Sequence, residues 1–317
     1  MNIELNIEKT VYLQGNKGKL YFTYLPGNDL RHVINIHAEK NDVIIFQETW
    51  YRSYCHTIFA EACKNISFDS TKVFILNNTS DYKSLKSSDE WPVPFSNYRL
   101  IPHNIFISPK VWFPKSCEKK YDFVLNTNSR PYKRDNLANK VPGAHVLAYT
   151  EKKDNLPPVL PAISNRRVQL KKVKPVLDQC SIGLILSKEE GCCWASGEYL
   201  MCGLPVVSTK SLGGRDYQYT DYNSIICEDN QDAVKEASLT LLERLKSGRI
   251  NPLDIHSECM EINKPYIKKF HNLLEEVFEI VGITDPKNTI KEILSSTDHF
   301  AHYVENENIR KKLIERP

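Results

Sequence analysis

The sequence predicts an α/β protein built on parallel sheets, two of them, and three observations predict it. Apolar runs of five or six residues, bounded by polar ones, have the length and composition of strands buried on both faces. These runs alternate with segments of helical periodicity, the pattern of strand–crossover–strand units. The chain has 317 residues, 41% of them hydrophobic, which suits two domains of ordinary size.

In chain order, Leu20 to Tyr24 is a strand that ends at Pro26-Gly27, and His32 to Ile36 is short and β-branched. Asp42 to Gln47 is a buried-strand run, Ile58 to Cys63 has a helical pattern, and Lys72 to Asn77 is the next buried strand. Ser84 to Ser96 reads as loop. Leu100 to Asn104 closes the first sheet at an edge, because Pro102 has no N–H to give a ladder. A seam falls at Pro109 to Lys120, around Pro114 and the charged run Glu118-Lys119-Lys120.

A new strand starts at Tyr121 to Asn126, followed by a helix-like stretch, Asn136 to Lys140, and a strand, His145 to Tyr149. Asn155 to Pro161 is a Pro-rich loop, Val173 to Gln179 a short helix and Ser181 to Leu186 a strand. Ala195 to Cys202 reads as a helix stopped by Gly203, with Pro205 beyond it. Strands follow at Leu204 to Ser208 and Ser224 to Cys227. Asn230 to Ser247 is a long helix with Ala233, Ala237, Leu241, Leu242 and Leu245 on its stripe; Asn263 to Val281 is a second, with Phe270, Leu273, Leu274, Val277 and Phe278. Asn288 to Ser295 and Asn308 to Glu315 are helical segments of a tail.

Composition argues against several classes. Lys and Arg number 42 against 39 Asp and Glu, a formal net charge of +3; a dedicated nucleic-acid binder carries a stronger basic stripe. The nine cysteines are an odd number, and several lie in apolar stretches, which reads as reduced thiols in a cytoplasmic protein. No CxxC pair supports zinc, and no Asp-x-Asp pair offers another metal site. Met1 to Thr10, with Glu4, Glu8 and Lys9, does not read as a signal peptide, and no apolar run is long enough to span a membrane. Lys171, Lys172 and Lys174 form either a peripheral contact to an anionic membrane surface or a charged acceptor, or an exposed polar helix face.

The informative segment is Ser187 to Ser208, which runs strand end, tight loop, short helix, Gly-x-Pro, strand. Seven residues separate Glu190 from Glu198. The first N–H groups of a helix lack partners, so the helix start that follows this loop suits an anion, above all a phosphate. Glu198 falls about one turn into the helix, where an ionised carboxylate accepts from sugar hydroxyls.

This arrangement resembles the E-x7-E signature of the retaining GT-B glycosyltransferases of family 4. The resemblance covers roughly residues 98 to 245. It implies two Rossmann-like domains with parallel sheets, the N-terminal one reduced: 1–115 on the acceptor side, 116–284 binding the nucleotide sugar, and 285–317 a helical tail. It gives Glu190 the donor's sugar hydroxyls, Glu198 the ribose, and the backbone N–H groups of Gly191, Cys192, Cys193 and Trp194 the phosphates. The family's G-R-L-x-x-x-K-G run maps to Thr127 through Arg134, with Lys133 on the family's Lys and Asn128 where the family has Arg; Arg130 or Arg134 supplies the missing charge. Gly213-Gly214-Arg215-Asp216 resembles the family's Gly turn after the next strand, whereas Gly15-Asn16-Lys17-Gly18 is a poor match to its acceptor loop.

The resemblance further implies a metal-independent transfer with no cofactor. The donor is a UDP-, GDP- or other NDP-sugar and the acceptor a glycan, lipid-linked or protein-linked. Cys192 and Cys193 read as small loop residues rather than nucleophiles. His103 is the candidate base, should the enzyme be inverting or use a CMP-sugar; His37 is a weaker one. A degenerate, non-catalytic sugar-nucleotide binder is the further alternative, raised by Asn128.

Overall fold

A computed structural model describes residues 10–25, 39–48, 69–78, 97–127, 130–148, 160–164 and 170–289. The expected segments around His32, Ile58 and Ser84, and the tail beyond residue 289, lie outside them. The chain divides into two compact units, one of residues 1–108 with 264–317 and one of 109–263.

The first unit holds one sheet of five strands in the order β1-β2-β3-β4-β5: Thr10–Gln14, Lys19–Leu25, Val43–Glu48, Val73–Asn77 and Asn97–Leu100. From β2 to β5 every pairing is parallel. The first strand is an addition to the expectation, and it runs antiparallel to β2. The Gly15–Gly18 segment is the hairpin turn between them, closed by Gly15 N–H donating to Gly18 O at 2.9 Å. β5 is an edge strand, and Pro102 follows its end, where no ladder bond is lost.

The second unit holds six strands, all parallel, in the order β11-β10-β9-β6-β7-β8. Their ranges are β6 Tyr121–Thr127, β7 Ala144–Ala148, β8 Ala162–Ser164, β9 Cys180–Ile185, β10 Val206–Thr209 and β11 Ser224–Cys227. Every residue of β9 is buried, as an interior strand covered on both faces requires. β8, three residues at the sheet edge, was not expected from the sequence; it is too short to show a periodicity.

Helices α1 Leu170–Leu177, α2 Trp194–Met201, α3 Gln231–Lys246 and α4 Pro252–Val281 complete the described elements. Asn230 caps α3 by accepting from Ala233 N–H at 2.9 Å. The α3 stripe is Val234, Ala237, Leu241 and Leu242, packed on Phe123, Leu125, Ile182, Leu184 and Val207 of the sheet; Ala233 and Leu245 sit at its margin, half-buried.

Helix α4 starts earlier than the apolar stripe indicated. Pro252 takes the first-turn position, where its missing N–H costs nothing, and Asn251 Oδ1 accepts from Leu253 N–H at 2.8 Å. Pro265 lies inside the helix, yet the helix continues, with buried residues on both sides of it: Ile255 and Cys259 before, and Phe270, Leu273, Leu274, Val277, Phe278 and Val281 after. The stretch expected as a helix at Asn136 to Lys140 is a short 3-10 turn, Asp135–Ala138, because Arg134 before it is left-handed at φ 53°.

Candidate functional site

The site gathers at the carboxyl ends of β6, β9 and β10, where ligands of open parallel sheets bind. Beyond β6, a 3-10 turn at Pro131–Lys133 delivers Lys133. Beyond β9, Ser187 and Glu190 lie on the loop into α2. Beyond β10, Gly213 and Gly214 turn the chain, both with positive φ (111° and 88°), into the 3-10 segment Arg215–Gln218. A Cβ on Gly213 would stand 1.5 Å from the Glu190 carbonyl oxygen, so only glycine lets these two backbones meet. The meeting is sealed by Glu190 N–H donating to Leu212 O at 2.9 Å and Leu212 N–H to Lys188 O at 3.1 Å.

Glu190 and Lys133 form a buried ion pair, Nζ on Oε1, with exposures of 9% and 8%. The Ser187 hydroxyl donates to the other carboxylate oxygen, Oε2. Burial on its own pushes the Glu190 carboxyl up; Lys133, the Ser187 hydroxyl and the charge of Arg215 outweigh it and hold the group below the usual carboxylate range.

Glu198 lies on the next element and in the opposite state. It is buried in α2, and desolvation pushes its carboxyl up to about 8. Near neutral pH it therefore carries a proton, and it offers one O–H donor as well as acceptors, a change from the acceptor-only carboxylate expected. The helix that carries it is fixed to the sheet: Asn126 N–H donates to the buried Tyr199 hydroxyl at 2.9 Å, and Gly203, at φ 75°, ends the helix as its sequence position indicated.

The remaining expected residues separate into groups. Gly191, Cys192 and Cys193 are buried at the entry to α2, and Trp194, partly buried, is its first residue. Burial pushes the Cys193 thiol up to about 12, so it is not a thiolate nucleophile. Arg130 is exposed beside the Lys133 turn.

Arg134 is committed elsewhere. It donates to Leu186 O at 2.7 Å, to Thr209 Oγ1 at 2.7 Å and to Lys210 O at 3.3 Å, and it pairs with Asp229, tying strand ends together. Asn128 and His37 lie outside the described residues. His103 sits in a 3-10 segment of the first unit, 2% exposed, its backbone N–H donating to Asn78 Oδ1 at 3.0 Å. Lys172 is exposed, while Lys174 pairs with Asp178 at 2.7 Å and stacks over Phe113 at 4.5 Å.

Two residues of the site were missed in sequence: Ser187 and Arg215. The Gly213-Gly214-Arg215 turn was the available signal, since a double-glycine turn allows a close approach to another loop. Among the described residues there is no group of three or more His, Cys, Asp or Glu fit for a metal, and no helix is long and apolar enough to cross a membrane.

Compared with known protein families and curated proteins, the chain matches none. Its fold does match solved structures. It is similar to sucrose-phosphate synthase from Thermosynechococcus elongatus, with a TM-score of 0.55 and 12% identity over 82% of this chain and 74% of that one. It is similar to HepE of Anabaena, with a TM-score of 0.51 and 11% identity over 73% of each chain. It is also similar to TarM of S. aureus, with a TM-score of 0.51 and 14% identity over 76% of this chain and 51% of that one, so it spans about half the length of TarM. The fold is thus that of the GT-B glycosyltransferases, α/β with two largely parallel sheets.

Proposed function

We propose that the protein is a glycosyltransferase that moves a sugar from a nucleotide-activated donor to a glycan, lipid-linked or protein-linked acceptor, with retention, in surface polysaccharide or other glycan synthesis. The observation that carries this reading is the buried Lys133–Glu190 pair at the carboxyl ends of β6 and β9, on the loop that enters α2. The HepE structure holds UDP, and the TarM structure holds UDP with alpha-GlcNAc-glycerol and Fondaparinux, which favours a nucleoside-diphosphate sugar as donor here.

In this reading residues 116–284 bind the donor and residues 1–115, with His103, supply the acceptor side. Glu190 accepts from hydroxyls of the transferred sugar. Backbone N–H groups of Gly191 to Trp194 meet the diphosphate, Asn128 adds a hydrogen bond, and Glu198 takes the ribose hydroxyls. Lys133 and the exposed Arg130 meet the negative charge that develops on the leaving diphosphate, the role that metal ions fill in other transferases, so the reaction proceeds without one. The acceptor hydroxyl attacks on the face that the diphosphate leaves. The protein works in the cytoplasm, with Lys172 among the groups available to an anionic membrane surface.

A thermal-shift screen against UDP, GDP, ADP, CMP and their sugars tests the reading. At a hundredfold excess over Kd the true ligand stabilises the fold by about 2.7 kcal/mol. Full transfer activity in both Glu190→Gln and Lys133→Ala would refute the assignment, and the anomer of the product, read by NMR, decides retention.

A further inference from the structure

Arg215, whose guanidinium is a cation, is 0% exposed in the turn beyond β10. Its Nη1 donates to Ser187 O at 2.6 Å and to Ser187 Oγ at 2.5 Å. Its Nη2 donates to Ser208 Oγ at 2.9 Å and to Thr209 O at 2.5 Å. A guanidinium only donates, an ionised carboxylate only accepts, and a hydroxyl has one proton. Since the Ser187 oxygen already accepts from Arg215, its single proton goes to Glu190 Oε2. The chain Arg215–Ser187–Glu190 therefore has one polarity, fixed at its inner end by the backbone of two strand ends.

Glu190 is thus served by two cations of different character. Lys133 is a compact charge on a flexible four-carbon stem; Arg215 is a planar fork held by four hydrogen bonds. Building on the donor-site reading above, we propose that Arg215 is the positioning residue that keeps Glu190 anionic and oriented when Lys133 leaves it for the donor's diphosphate.

The reason lies in the burial of Glu190. A buried carboxylate that loses its only cation takes up a proton, and its value as an acceptor falls. Among the described residues, the charged and titratable groups that face it are Lys133 from the turn after β6, Arg215 from the turn after β10 and the Cys193 thiol from the start of α2. The thiol is uncharged, so Arg215 is the charge that stays. In the sequence this places a task on the residue after Gly213-Gly214, which sits in a turn that brings it beneath the Glu190 loop.

Two measurements test this. In the ligand-free protein, urea unfolding is followed from pH 4 to pH 8 for wild type, Ser187→Ala, Arg215→Lys and Arg215→Met, each with and without Glu190→Gln. The acid-side loss of stability is expected to begin at higher pH in Ser187→Ala and Arg215→Met, less so in Arg215→Lys, and the difference is expected to vanish in the Glu190→Gln background. Acid limbs that coincide with wild type, or a shift that survives Glu190→Gln, overturn the proposal. Ser187→Ala carries the test if Arg215→Met does not fold.

With donor, the pH profile of kcat reports the bound state, in which Lys133 has moved. Its acid limb is expected to rise by about one pH unit in Ser187→Ala, a tenfold loss of kcat on that limb, with KM for the donor little changed and Arg215→Lys retaining part of the rate. An unmoved limb overturns the proposal. Failure of the donor-site reading shows separately: a wild-type protein that binds and turns over no nucleotide sugar refutes that reading and the transfer of Lys133 with it. Absent coupling in the ligand-free protein refutes the Arg215 proposal alone.

Discussion

The loop from Ser187 to Cys193 and the helix that follows it each carry one glutamate, and the two are held in opposite protonation states. Both are nearly out of solvent, Glu190 at 9% and Glu198 at 6% exposure. For both, burial is the largest influence and pushes the carboxyl up. Glu198 follows it to about 8. Glu190 does not, because Lys133 and Ser187 bind its two oxygens and the charge of Arg215, itself bound to Ser187, adds to theirs. The lesson is that two chemically identical residues, eight positions apart on one strand–loop–helix unit, are set to different tasks by what reaches them through space. One is a fixed anion; the other is a neutral acid that can donate as well as accept.

The largest expected effect comes from breaking the anionic side of this comparison. Lys133→Ala leaves Glu190 buried without its direct partner, and removing one member of a buried pair costs about 3–5 kcal/mol. Urea unfolding at pH 7 should show that loss, and adding Glu190→Gln should recover a large part of it. A double variant no more stable than Lys133→Ala would mean that the pair is not what links these two positions.

Next in size is the chemical role. Glu190→Gln keeps the shape and removes the charge, and transfer should fall by roughly two orders of magnitude, as for loss of a single preorganised contact to a transition state. Initial rates with the nucleotide sugar found by thermal shift measure this. An equal loss in Glu198→Gln and Glu190→Gln would erase the distinction drawn between them.

The pH dependence tests both sides at once, with opposite signs. Glu198 is protonated in both folded and unfolded chains below about pH 4.5. As pH rises from there toward 8, only the unfolded chain ionises, so stability falls, by the order of 3 kcal/mol at pH 7, and levels off above 8. Glu190, held below its unfolded value, stabilises the fold above about pH 4.5 and loses that contribution as pH falls through its folded value. Glu198→Gln should flatten the neutral-side decline and leave the acid limb. Urea midpoints across pH 3 to 9 read both, and an unchanged slope in Glu198→Gln would contradict its protonated state.

The smallest effect supplies the reference. Asn230→Ala, which removes the cap of α3 far from either carboxyl in sequence, should cost about 1 kcal/mol, equally at every pH. A pH-dependent loss there would show that the slopes assigned to the two glutamates come from the fold as a whole.

Much of the fold was legible because it rests on local signals. The apolar runs at Asp42 to Gln47, Lys72 to Asn77 and Ser181 to Leu186 became β3, β4 and β9, since an uninterrupted run of that length fits a strand covered on both faces. The stop at Gly203 was legible because a left-handed terminal residue is nearly a glycine property. β1 was not: it is a sheet-edge strand whose place depends on pairing with β2. The 3-10 turns were not either, since they are too short for any periodicity to show.

At the site, the Glu190–Glu198 spacing and Lys133 could be read as a pattern, while the partner of each could not. Arg134 and Arg215 both follow a strand end among polar residues, and neither one's partners are written in its neighbours. One binds the ends of β9 and β10 and Asp229; the other is coupled to Glu190 through Ser187.

What the sequence determined by itself, then, was the alternation of strands and helices and the loop–helix with its two glutamates. These depend on neighbours within a few residues, where spacing and composition suffice. The tertiary structure alone decided that Glu190 is an anion and Glu198 an acid, that Arg134 clamps strands and that Arg215 supports Glu190. Protonation depends on the free energy of burying a charge against the groups around it. Here those groups come from segments separated by 57 residues for Lys133 and Glu190, and by 28 for Arg215 and Ser187, distances along the chain over which no spacing rule holds.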